Sequence, residues 1–190
     1  MESNIYLSYV IGERTWKIHL IEDNFYLRSV LWPFTWAPYT PFSALNQCPV
    51  CLLDPNKFFV SPFCRCGIYS YKKDFLEKRF NVKDTSSGLI MGDICLWGKV
   101  VEHKYGYRGQ YGYPKKLYGF FCTVCHNFIN PDSSFIVGAS YEGSADYFPF
   151  CFSCENKYYS LFTGDVTLQI FNGGGVMRSL CESYGIEETL

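Results

Sequence analysis

Two Cys-x-x-Cys pairs, Cys122-Thr-Val-Cys125 and Cys151-Phe-Ser-Cys154, separated by twenty-five residues, constrain this chain more than any other feature. Each pair offers two sulfurs from one tight turn, and two such turns brought together surround one Zn²⁺ tetrahedrally. An earlier cluster, Cys48-Pro-Val-Cys51 followed after twelve residues by Cys64-Arg-Cys66, offers four more thiolates through a less standard Cys-x-Cys half. The spacing therefore predicts two zinc ions, one on Cys48, Cys51, Cys64 and Cys66 and the other on Cys122, Cys125, Cys151 and Cys154. Four sulfurs leave no open coordination position, so such a metal holds the fold and does not run chemistry. An Fe–S cluster fits the same residues, and a redox dithiol would fit them in a βαβ setting that the sequence does not display. His126 is an alternative ligand, although its adjacency to Cys125 turns it elsewhere. Cys95, beside Ile94, Leu96 and Trp97, and Cys181 on the expected last helix read as small buried apolar residues.

Metal ligation is preferred to disulfides because nothing in the sequence points to export. The N-terminal stretch lacks a basic start, and Gly12, Glu13 and Arg14 interrupt its apolar run. No apolar stretch approaches the roughly 18 residues that cross a bilayer, so a cytoplasmic protein with reduced thiols and no membrane partner is expected. In 190 residues, 48% hydrophobic and 19% aromatic content excludes intrinsic disorder, and 17 Phe, 16 Tyr and 4 Trp favour strands. A formal net charge of −1 excludes a globally basic nucleic-acid binder, so any such partner must use a local patch.

The expected fold is β-rich (α+β): a twisted antiparallel sheet or small barrel with two four-cysteine zinc sites and one or two short helices. Residues 1–85 would form a β-meander with the first zinc site and a short helix, and residues 86–190 a central hairpin, the second zinc ribbon and a C-terminal helix. The meander is read as NIYLSYVI, a turn at Gly12-Glu13-Arg14, TWKIHLIE and NFYLRSVLW, with Trp16, Ile18 and Leu20 on one face of its second strand. Trp32 to Pro49, rich in proline and aromatics, reads as an ordered loop over the core. YKKDFLEKRF has helical spacing, and the polar run from Asn81 to Gly88 is the natural boundary. Near the C-terminus Val176, Leu180 and Tyr184 recur every four residues before Gly185, a helix C-cap, while Gly173-Gly174-Gly175 reads as a hinge or turn.

The stretch from Gly92 to Gly119 reads as the central hairpin, turning at Lys104-Tyr105-Gly106, with Ile94, Leu96, Gly98, Val100 and Glu102 on the strand face chosen for the core. Five basic residues (Lys99, Lys104, Arg108, Lys115, Lys116) against Asp93 and Glu102 give this stretch a net charge of +3. Residues 155–190 carry −3. Base interleaved with tyrosine suits a single-stranded nucleic acid, since rings stack bases while cations follow phosphates. The plainer reading is a half-buried aromatic hairpin with a solvated lysine rim.

The strings CRCGIYSYK at Cys64–Lys72 and LWGKVVEHKYGYRGQYGYP at Leu96–Pro114, with RTWKIHL and LRSVLW before them, resemble a family of small bacterial and phage zinc-ribbon-like proteins. The resemblance covers roughly residues 14 to 118. It implies a bacterial or phage source and marks Cys64, Cys66, Trp97, His103, Tyr107 and Arg108 as motif positions without giving them a role. The function expected from the whole sequence is a non-enzymatic, zinc-stabilised binding module that presents residues 99–118 to nucleic acid or a protein partner. Trp97, His103, Tyr107, Arg108, Tyr111, Tyr113, Lys115 and Lys116 would form its contact surface. The alternative is an enzyme acting on a phosphate-containing or small-molecule substrate through His103 and Arg108; no complete catalytic constellation is visible for it.

Overall fold

A computed structural model describes residues 8–31, 33–44, 60, 66–73, 89–141, 144–162 and 164–188. Cys48, Cys51 and Cys64 lie outside the described residues, as do residues 74–80 of the expected helix and the expected boundary at residues 81–88. The protein is β-rich, with its described strands in two sheets. The chain divides into two compact units, Met1–Arg14 with Tyr39–Phe80 and Asp93–Lys115, and Thr15–Pro38 with Asn81–Gly92 and Lys116–Leu190.

In the second unit, the end of β1 (Val10–Ile21) turns back into β2 (Asn24–Arg28), with Lys17 opposite Arg28 and Ile21 opposite Asn24. The two linking residues, Glu22 and Asp23, have φ of 47° and 64°, the left-handed pair that a two-residue hairpin turn needs. The turn expected at Gly12-Glu13-Arg14 is absent: those residues continue β1. Gly12 interrupts the apolar pattern for a different reason, since a Cβ there would strike the Ser70 side chain. Trp16 and Ile18 are buried as expected, and Trp36 from the proline-rich loop meets Trp16 edge to face at 5.9 Å while its Nε1 donates to Ser29 Oγ at 2.9 Å.

The same unit contains an antiparallel three-stranded sheet, ordered β10 (Thr167–Asn172), β8 (Ser134–Tyr141), β9 (Ser144–Cys151). The helix α1 (Gly173–Tyr184) packs against β2, β8 and β10 through Val176, Met177, Leu180 and Tyr184. Its three leading glycines are not a hinge but its first turn, capped by Asn172 Oδ1 accepting from Gly175 N at 2.9 Å. A Cβ on Gly173 would collide with Ser134 and one on Gly174 with Asp132, so close packing against residues 131–134 explains the first two. At the other end Gly185, at φ 61°, accepts the left-handed C-cap, with Ile186 N donating to the Cys181 carbonyl at 3.0 Å.

The strands β5 (Leu89–Glu102) and β6 (Gly106–Phe121) form the expected hairpin, of which Asp93–Lys115 belongs to the first unit, closed by reciprocal hydrogen bonds between His103 and Gly106. Ile94, Leu96 and Val100 are buried as expected, whereas Gly98 takes φ 72°, breaks the alternation and is exposed, so that Val100 and Val101 are both buried. The strand β4 (Ile68–Tyr71) pairs with β6, Tyr69 opposite Arg108 and Tyr71 opposite Gly106, and with β1, where Glu13 lies opposite Tyr71. A short strand β3 (Phe42–Ser43) lies opposite Gly112 and Tyr111. The absent side chain of Gly112 admits Ile94, Leu96 and Ile68, which stand 3.0–3.2 Å from where its Cβ would be.

Candidate metal centre and aromatic surface

The strand β6 runs to Phe121, and its last turn delivers Cys122 and Cys125. Cys122 N donates to the Asn127 carbonyl and His126 N to the Cys122 carbonyl, both at 2.9 Å. His126 sits at φ 60°, so it is the left-handed residue that completes this knuckle and is not a member of the sulfur cluster. Phe128–Ile129 (β7) then returns against Phe120 and Phe121. The other pair is placed by β9, which ends at Cys151, and by the 3-10 helix Phe152–Lys157, which carries Cys154.

The four sulfurs lie within 4.8 Å of one another, and Cys125 Sγ is 3.8 Å from Cys151 Sγ. A Zn–S length of about 2.3 Å makes the edge of a regular ZnS₄ tetrahedron about 3.8 Å, so the observed separation fits the ion. Cys151 N points at Cys122 Sγ from 3.5 Å, a donor suited to a thiolate. Burial alone would raise the Cys122 thiol, but the backbone N–H groups of Cys125, Cys151 and Val124 bring it down to about 7. Burial, reinforced by the neighbouring thiols, pushes Cys154 up to about 12. Four thiols this close together are a donor set that can hold a divalent cation. Phe135, Val137, Phe150 and Tyr158 form a buried cluster in the same unit, with Val124, between the first two ligands, packed against it. Of the earlier cluster, Cys66 is half-buried and its three proposed co-ligands lie outside the described residues.

The hairpin surface residues separate by depth. His103 is exposed, and burial followed by the charge of Arg108 lowers its pKa. Arg108 is only 3% exposed, its guanidinium lies 5.9 Å from the Tyr69 ring, and its stem fills the place beside Gly67. Trp97 and Tyr111 are half-buried and stack with centroids 6.1 Å apart. Tyr113 Oη accepts from Tyr39 N at 2.8 Å, and its phenol is raised by burial. Lys72 stands 5.8 Å from the Tyr107 ring and Lys115 5.7 Å from Tyr9. Lys116 belongs to the second unit, 5.7 Å from the Tyr118 ring. Cys95 is half-buried with its thiol raised chiefly by burial, and Cys181 is buried.

Two exposed residues of this surface were not among the expected ones. Tyr69 and Tyr71 are 48% and 40% exposed, and Ile68 and Ser70 between them are buried. The signal was present in Ile-Tyr-Ser-Tyr, whose period of two assigns both tyrosines to one face. Comparison of the chain with known protein families, curated proteins and solved structures returns no match.

Proposed function

We propose that this protein is a non-enzymatic, zinc-stabilised binding module whose hairpin contacts nucleic acid. The supporting observation is the pairing of cations with tyrosine faces in the first unit: Lys104 Nζ lies 4.9 Å from the Tyr105 centroid and Lys115 Nζ 5.7 Å from Tyr9. Rings and positive charge presented together meet both parts of a nucleotide. In this reading zinc is structural, with Cys122, Cys125, Cys151 and Cys154 as one ligand set and Cys48, Cys51, Cys64 and Cys66 as a second.

The direct test is a salt titration of binding to a labelled single strand. Wild type should weaken as salt rises, and a Lys104→Ala/Lys115→Ala variant should show a log–log slope shallower by about 1.4, near 0.7 for each lost phosphate contact. No binding by wild type at low salt overturns the nucleic-acid reading, and a protein that co-purifies independently of salt would replace it. Metal analysis should return about two zinc ions per chain, and a value near zero overturns the structural-zinc reading.

A further inference from the structure

The tyrosines of β4 extend the hairpin surface into a strand-mounted platform. Tyr69 and Tyr71 occupy alternate positions of one strand and face outward together. Opposite Tyr71 stands Gly106, which offers no side chain to cover that ring. Opposite Tyr69 stands Arg108, whose buried guanidinium lies near the Tyr69 ring and cannot itself reach far into solvent. The end of β4 is tied to the hairpin turn, since Lys72 N donates to the Tyr105 carbonyl at 3.0 Å. Tyr105, 41% exposed under the Lys104 ammonium, is thereby held at one end of the same surface. Lys72 also pairs with Glu102 at 2.5 Å, which fixes its stem beside Tyr107.

We infer that Tyr69 and Tyr71 are base-stacking residues, and that the partner is a single strand and not a duplex. This rests on the nucleic-acid reading above and adds to it the contact residues and the strandedness. Residues two apart on a strand are spaced by about 6.8 Å, twice the roughly 3.4 Å step between stacked bases of a duplex. Consecutive bases that meet both rings must therefore have left their own stack, a cost that a single strand has largely met already. Within the first unit, Lys99, Lys104, Arg108 and Lys115 against Asp93 and Glu102 give residues 93–115 a net +2, and Lys72 and Lys73 at the end of β4 add two more positive charges, complementary to the phosphates. Stacking faces are shared by DNA and RNA, so the surface selects for unpaired bases and leaves the sugar to the experiment.

The test measures fluorescence anisotropy of labelled oligo-dU and oligo-U of about 12 nucleotides, and of a duplex of equal length, at one salt concentration. Wild type should bind the single strands at least about tenfold more tightly than the duplex, and the tighter of the two strands identifies the natural sugar. Tyr69→Ala/Tyr71→Ala should weaken single-strand binding about 10- to 100-fold while leaving the salt slope unchanged, because no phosphate contact is lost. Tyr69→Phe/Tyr71→Phe keeps both rings and should bind as wild type does. If wild type binds single strands but the alanine variant stays within about twofold of it, or the duplex binds equally well, this inference fails and the nucleic-acid reading stands. A phenylalanine variant that loses binding as fully as the alanine one also overturns stacking. Failure of wild type to bind any of the three probes removes both.

Discussion

Phe135, Phe150 and Tyr158 of the second unit turn toward one another, with centroids 5.6–5.8 Å apart, whereas Tyr69, Tyr71 and Tyr105 of the first unit are 40–48% exposed. The inward rings bury apolar area and meet in stacked and edge-to-face contacts, so they stabilise the fold directly. The outward rings leave much of their area in water and gain little of that kind. Their companions differ too: Cys122 and Cys154 sit in the same unit as the inward rings, and Lys104 stands beside the outward Tyr105. The contrast teaches that aromatic content alone does not measure core size in this chain. One set of rings is buried in the fold, and the other leaves much of its area at the surface.

Removing metal should separate the two regions most strongly. Structural zinc sites in small domains carry about 10–16 kcal/mol of binding free energy, so a strong chelator, or Cys122→Ser, should unfold the Cys122–Cys154 region cooperatively. Circular dichroism and zinc content report this together, and an unchanged melt would break the proposed division between structural and presented elements. At the next level, Phe150→Ala should destabilise by about 3–5 kcal/mol in chemical denaturation. Tyr105→Ala, by contrast, should fall within about 0.5 kcal/mol of wild type. Equal effects would show that the exposed rings are structural after all.

The smallest effect concerns His19, whose Nδ1 lies 3.0 Å from Thr35 Oγ1. Burial, and then the charge of Arg28, hold its pKa below the ordinary 6.5, against an opposing pull from Asp146. The unfolded chain therefore takes up this proton first, so the contribution of neutral His19 is full above about pH 6.5 and is lost as pH falls through the lower folded value. His19→Gln should flatten the decline in melting temperature below pH 6.5; an unaltered decline would assign it to other groups.

Much of this was legible because local rules sufficed. The second cysteine set followed from spacing, the burial of Ile94, Leu96 and Val100 from alternation, although Gly98 and Glu102 of the same expected face are exposed, and the helix end from Gly185. The misread turn shows the limit: Gly12 serves a close approach to Ser70, while the actual turn uses Glu22 and Asp23, which carry no glycine to announce a positive φ. The glycine run that opens α1 misled for the same reason, since Ser134 and Asp132, which crowd its first two residues, are distant in sequence. Arg108 is a third case. Alternation assigns a side chain to a face but says nothing of depth, and its burial depends on pairing with Tyr69 and on the space above Gly67.

The hydroxyl of Tyr184 accepts from Leu27 N at 3.0 Å and donates to the Trp36 carbonyl, joining groups up to 157 residues apart. On a ribosome adding about 5–20 residues per second, β2 would wait roughly 8–30 seconds for α1 to be made. During that interval Phe25 and Leu27, buried in the finished protein, remain uncovered by the helix. The β1–β2 hairpin therefore completes its packing only after the last helix is made, and a clipped last helix would leave that side of it uncovered.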